Sequence, residues 1–251
     1  MKFVESMGFR VFSDSLDKIE IHNTKCKSIF TIAPNEYSLS RKDLVYEKAL
    51  KRSDFLVLDG VFFGFASLLL NFQGIKANHG PFVFENLMNR INNEKGRIFF
   101  LGSSETVLTK IKNNAADKYP DITIATLSPP FKKEFTDSEN DSMVREINEF
   151  APDVVFVGMG APKQEKWAIK NRDSLNAGIV ATIGNVFDWF AGTQRSIPKI
   201  CFKLGIGWLI RMFLRPEIIK RNVPNQMKFL LDVALIFFRI KKEPKAHINN
   251  S

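Results

Sequence analysis

VVFVGMGAPKQEKW, residues 154 to 167, decides the fold. Its first five residues are continuously apolar, as expected of a strand covered on both faces in a parallel sheet. Gly158 and Gly160 break the run, Pro162 suits a first helical turn where no backbone N–H is needed, and Lys163, Gln164 and Glu165 open a helix. The chain repeats this strand, turn and helix along its length. Apolar runs at 28–33, 55–59, 97–102, 122–127, 154–159 and 179–184 alternate with helix-length patterns at 43–52, 61–72, 82–94, 104–118, 139–150 and 162–172. Such alternation predicts an α/β domain with a doubly wound, mostly parallel sheet.

In such a sheet ligands bind beyond the carboxyl ends of the strands. The residues in those places are Asn35, Asp59-Gly60, Gly102 with two serines, SPPF at 128–131, the stretch from Gly158 to Glu165, and GNVFD at 184–188. At the quoted corner, glycines let a ligand approach the backbone and expose N–H groups at a helix start, which suits an anion or a polar ring edge. Lys163, Gln164 and Glu165 add a cation, an amide and a carboxylate within one turn. An ordinary βα turn with a polar helix start fits the same residues.

Charge is unevenly spread. The 251 residues carry a net charge of +9, yet from Arg195 onward there are twelve Lys/Arg against three Asp/Glu, so the preceding residues are neutral overall. A basic field confined to the C-terminal quarter calls for an anionic partner there, such as a nucleotide diphosphate or a phospholipid surface. No recognition motif for nucleic acid accompanies it. Cys26 and Cys201 form no metal-binding spacing, the three histidines (His22, His79, His247) are isolated, and the 24 phenylalanines read as core. The first residues lack the apolar core of a signal peptide, and FLLDVALIFF at 229–238 is too short, with Asp232 inside it, to span a bilayer. The last helical pattern, 225–240, places Met227, Leu230, Leu231, Ala234, Leu235 and Phe238 on one stripe. That stripe needs a partner: the α/β domain, a second subunit, or a membrane interface edged by Lys and Arg.

The string VGMGAPKQEKW resembles the G-x-G-x-P-x-Q-E-x-W signature of the WecG/TagA/CpsF family of bacterial glycosyltransferases, and other segments follow in that family's order. Asn35 with RKD, SDFLVLDG (53–60), RIFFLGSSETV (97–107), SPPF (128–131), IGNVFDWFAGTQRSIP (183–198) and GWLIRMFLRP (207–216) each resemble a family element. The likeness runs from about residue 28 to 222. It implies a Rossmann-like domain over 1–195 and a basic helical, membrane-associating appendage over 196–251. The implied activity is inverting transfer of a sugar (N-acetylmannosamine, its uronic acid, glucose or similar) from a UDP-sugar to a polyprenyl-diphosphate-linked saccharide. The implied place is the inner face of the cytoplasmic membrane, with the protein peripheral there, and homo-oligomers are an expected feature.

By the same resemblance, Asp59 is the catalytic base, although a D-G turn aspartate fits the position too. Gln164 and Glu165 contact sugar and nucleotide or serve as surface and capping groups; Asp188 bonds ribose hydroxyls or caps a short helix; Phe131 offers a face to uracil or belongs to the core. Asn35, Gly102, Gly160 and Lys163 complete the expected donor and acceptor contacts. Arg211 and Arg221 are the expected diphosphate cations, since a guanidinium fork binds two phosphate oxygens at once. With no D-x-D motif and no ligand cluster, neither metal nor other cofactor is expected. Three positions depart from the pattern: Ala33 stands for a threonine, Gly207 for a glutamate, and the loop before Gly80 offers Lys76, Ala77 and His79 where an arginine is usual. A nonenzymatic nucleotide- or lipid-binding module docked on anionic membrane is the competing reading.

Overall fold

Each of the six apolar runs becomes a strand in the computed structural model, which describes residues 1–246. They are β3 (Lys27–Ile32), β4 (Phe55–Leu58), β5 (Arg97–Gly102), β6 (Thr123–Leu127), β7 (Val154–Gly158) and β8 (Ile179–Thr182), preceded by β1 (Phe3–Ser6) and β2 (Phe9–Phe12). The eight strands lie in the order β1-β2-β4-β3-β8-β7-β5-β6. β3 with β8, β8 with β7, β7 with β5, β5 with β6 and β2 with β4 are parallel, whereas β1 with β2 is antiparallel. This is the mostly parallel α/β sheet that the alternation predicts.

The β1-β2 hairpin is not among the expected strands. Its turn consists of Met7 and Gly8, both at positive φ (53° and 83°), as a two-residue hairpin turn requires. Methionine is an unusual occupant of that region, so the usual Asn-Gly type of signal is missing.

Helices fill the intervals: α1 (Pro34–Ser40), α2 (Leu44–Lys51), α3 (Phe62–Asn71), α4 (Gly80–Asn93), α5 (Glu105–Lys118), α6 (Asp137–Phe150), α7 (Lys163–Asn171), α8 (Val186–Phe190), α9 (Lys199–Lys203), α10 (Gly207–Leu214) and α11 (Ile219–Phe237). Several begin on side chains that accept otherwise orphaned N–H groups. Asp43 accepts from Tyr46, Ser104 from Val107, and Thr136 forms a reciprocal capping box with Glu139.

Two compact units divide the chain: residues 1–15, 31–79 and 197–251 form the first, residues 16–30 and 80–196 the second. The chain passes from the second to the first between Ser196 and Ile197, so the basic C-terminal segment is counted with the residues around Asp59. Phenylalanine builds both interiors. Phe63 stacks on Phe229 at 5.6 Å and Tyr37 meets Phe229 edge-on at 5.2 Å in the first unit. In the second, Phe156 packs against Phe84 (5.1 Å) and Phe100 (5.5 Å).

Helix α11 differs from its expected form in two respects. It starts at Ile219 and runs through Pro224, which removes one backbone hydrogen bond without ending the helix. Its buried stripe is Phe229, Val233 and Ile236, while Met227, Leu231 and Phe238 of the expected stripe are exposed. The helix is therefore apolar on more than one face, and a single stripe could not identify which one enters the core. No helix among the described residues is long and apolar enough to cross a membrane.

Candidate functional site

In the first unit the backbone brings three segments together at the ends of β3 and β4. Asp59 N–H donates to the Ile32 carbonyl at 2.9 Å, which fixes Asp59 beside the start of α1. Ala77 pairs with Leu58 in parallel fashion and Asn78 N–H donates to the Leu58 carbonyl at 3.0 Å. That short pairing carries His79 onto Asp59, with His79 Nδ1 2.9 Å from Asp59 Oδ1. Gly60 N–H also points at Nδ1, at 3.1 Å. The side chain of His79 is only 5% exposed and that of Asp59 35%, so the imidazole is internal while the carboxylate is partly open to solvent.

Pro34 opens α1 directly after β3, and the next two side chains are polar. Asn35 Nδ2 donates to Glu36 Oε1 at 3.0 Å, and Asn225 Nδ2 from α11 donates to Asn35 Oδ1 at 2.9 Å. Lys42 Nζ reaches Asn225 Oδ1 at 3.4 Å. Burial pushes the Glu36 carboxyl above its ordinary range and the Asp59 charge adds to the rise, against the Asn35 bond and the Arg211 guanidinium. Arg211, half-buried on α10, thus stands within electrostatic reach of Glu36. Arg215 is held by Glu217, its Nε 2.7 Å from Oε1. The Arg221 side chain and His247 lie outside the described residues.

Glu36 and Asn225 are the members of this cluster that sequence reasoning missed. Asn35-Glu36 at the end of a strand was a readable signal for the first. Asn225 lies 190 residues from its partner, and no local pattern announces it. His79 was visible only as a residue standing where an arginine was expected.

The second unit holds the quoted corner. Gly160 takes φ +78° with nothing within 4 Å of where a Cβ would lie, so the chain turns here beside open space. Gln164 and Glu165 are not surface groups: they are buried, at 5% and 1% exposure. Gly160 N–H donates to Gln164 Oε1 at 3.1 Å and Gln164 Nε2 donates to Glu165 Oε1 at 2.7 Å. An amide orders the turn and a carboxylate orders the amide. Gly184 borders the same amide, its would-be Cβ 3.6 Å from Gln164 Nε2. Gly102 sits at φ +113° where β5 and β7 converge, a Cβ there falling 2.6 Å from the Gly158 carbonyl oxygen.

Lys163 leans away from the helix start onto the 132–135 segment. Its Nζ donates to the Lys132 carbonyl at 2.6 Å and lies 3.9 Å from the centre of the Phe135 ring; burial, reinforced by Lys132, lowers its pKa. Asp188 lies inside α8 rather than at its cap, and Thr193 Oγ1 donates to Asp188 Oδ1 at 3.1 Å. Phe131 is 109% exposed, so it is no part of the core and its ring face is open.

The profile of the Glycosyl transferase WecG/TagA/CpsF family matches residues 7–243. An N-acetylglucosaminyldiphosphoundecaprenol N-acetyl-beta-D-mannosaminyltransferase of Bacillus subtilis (strain 168) is 30% identical over 205 residues, 82% of this chain and 78% of its own. An enzyme of the same name from Staphylococcus aureus (strain NCTC 8325 / PS 47) is 26% identical over 216 residues, 85% of this chain and 82% of its own. An α/β sheet with glycine-turned strand ends, matched by that profile over nearly its whole length, places this chain in the WecG/TagA/CpsF family of glycosyltransferases.

Proposed function

We propose that the protein transfers an N-acetylmannosamine-type sugar from a UDP-sugar to a polyprenyl-diphosphate-linked saccharide, with inversion at the anomeric carbon. The supporting observation is Asp59: an accessible carboxylate at a strand end, anchored through one oxygen by a buried imidazole. In the transfer, an acceptor hydroxyl gives its proton to Asp59. The hydroxyl oxygen then bonds to the anomeric carbon while the bond to the diphosphate oxygen breaks on the opposite face, its electron pair leaving with UDP.

The departing diphosphate needs positive charge, for which Arg211 and Arg221 are the candidates. Gly102, Gly160, Lys163, Gln164, Glu165, Asp188 and Phe131 are assigned to the donor, and Asn35 to the neighbourhood of the base. Buried Gln164 and Glu165 suit this role because their rotamers are fixed before substrate arrives.

The acceptor's lipid tail requires access to a membrane surface. Support comes from the first unit, where exposed Phe65, Leu68 and Phe72 on and after α3, Trp208 and Phe213 on α10 and Leu231 on α11 accompany the basic C-terminal segment. We place the enzyme peripherally on the cytoplasmic face. Asp59→Asn tests the assignment: transfer from UDP-N-acetylmannosamine to a short-chain lipid-diphosphate-N-acetylglucosamine should fall by about 10²-fold or more, while UDP continues to raise the melting temperature. Transfer at the parent rate by Asp59→Asn would refute it.

A further inference from the structure

We propose that His79 is a positioning residue for the transfer: its Nδ1–H fixes Oδ1 of an ionised Asp59 and leaves Oδ2 to take the acceptor's proton. The inference rests on Asp59 being the base. Nδ1 lies 2.9 Å from Asp59 Oδ1 and 3.1 Å from the Gly60 nitrogen. A single ring nitrogen either donates or accepts. Carrying its hydrogen, it donates to an ionised Asp59. Without that hydrogen it accepts from Gly60 N–H, and its lone pair then tolerates Oδ1 only as a protonated carboxyl.

The ring has little freedom to avoid this choice. It is almost fully buried, packs at 5.1 Å against Phe202 of α9, and is carried by the backbone bond from Asn78 to Leu58. Of the other charged groups, Glu36 on α1 lies within electrostatic reach of Asp59 and of Arg211 on α10. A hydrogen bond donated to one carboxylate oxygen fixes the orientation of the other, so Oδ2 is held ready for the acceptor's proton. When the acceptor's proton reaches Oδ2, Oδ1 becomes the carbonyl oxygen and still accepts from Nδ1–H.

The test compares His79→Asn with His79→Gln. Asparagine can set its amide nitrogen near the place of Nδ1; glutamine reaches instead toward the place of Nε2. His79→Asn should keep kcat within about threefold, whereas His79→Gln should lose roughly 10- to 100-fold, part of the effect of a positioned base. The loss should fall on kcat alone, with the KM for the UDP-sugar unchanged and UDP still protecting both variants against heat. Equal kcat losses in the two variants, or a parental kcat in His79→Gln, would overturn the proposal. If Asp59→Asn is inactive and the His79 variants behave alike, the role of His79 alone is refuted; if Asp59→Asn is active, the base assignment falls first.

Discussion

Two carboxylates of the first unit meet opposite demands. Asp59 is partly open to solvent and lies against a buried imidazole, whereas Glu36 is drawn toward its neutral form by burial and by the charge on Asp59. A group whose folded pKa is raised binds its proton more tightly in the native state, so stability is full below its unfolded pKa and declines as pH rises through the folded value. Glu36→Gln, a permanently neutral isostere, should therefore be more stable than the parent at about pH 8, and the gap should close toward about pH 4, where both side chains are neutral. Melting temperatures across that range check the sign; a gap that widened as pH fell would contradict the raised pKa. Glycines allow a second comparison at this scale. Gly102 and Gly160 both have positive φ, but a methyl group at 102 meets the Gly158 carbonyl oxygen and one at 160 meets nothing. Gly102→Ala should cost about 2–4 kcal/mol and Gly160→Ala about 1 kcal/mol by urea unfolding. If the second change also weakens protection by UDP, open space at that turn belongs to the donor.

Among the elements, α11 owes its place to a polar bond inside an apolar contact. Tyr37 of α1 is fully buried and its hydroxyl donates to Asp232 Oδ2 at 3.0 Å, while Lys241 Nζ donates to Asp232 Oδ1 at 2.7 Å. Burial and the neighbouring carboxylate push the tyrosine pKa upward, which keeps it a donor at every physiological pH. Tyr37→Phe should cost about 1–2 kcal/mol by leaving Asp232 one donor short, and Asp232→Ala about 2–4 kcal/mol because it strands a buried hydroxyl and an ammonium. Denaturant midpoints would show the order. This bond also shows what could be read beforehand. Strands β3 to β8 were legible because their apolar runs are long and their glycine ends local. Asp232 registered only as a charge in an apolar run, since its partner is 195 residues away. The placement of Asp59, Gly160, Gln164 and Glu165 beside the ends of β4 and β7 was legible to the same degree, while the contact of His79 with Asp59 and of Asn225 with Asn35 depends on tertiary placement. A helix such as α11, apolar on several sides, leaves its buried face to be chosen by packing, as Phe229 and Val233 show.

On the scale of the whole molecule, a chain with a neutral portion and a basic C-terminal quarter also carries large exposed apolar side chains in the unit that holds that quarter. Val61 borders Gly205, and Phe62 meets Trp208 edge-on at 5.2 Å, so α3 and the α9–α10 segment adjoin one another within the first unit. Phe65 on α3, Phe72 at its C-terminal end and Phe213 on α10 are 60%, 88% and 76% exposed. In the proposed membrane contact, apolar side chains would be buried in the acyl boundary and cations drawn to anionic headgroups. The two contributions separate experimentally. Raising salt should weaken binding to phosphatidylglycerol vesicles, because the lysine and arginine share is screened. Replacing Phe65, Phe72 and Phe213 by serine should weaken it further at any salt, by about 1–2 kcal/mol for each ring that inserts. Transfer to a water-soluble acceptor analogue should be preserved in that triple variant, and transfer to a long-chain acceptor in vesicles should fall with the bound fraction. Sedimentation with vesicles of graded anionic content measures both; binding by the triple variant equal to the parent's would leave those rings without a part in membrane contact and move the search to the exposed side of α11.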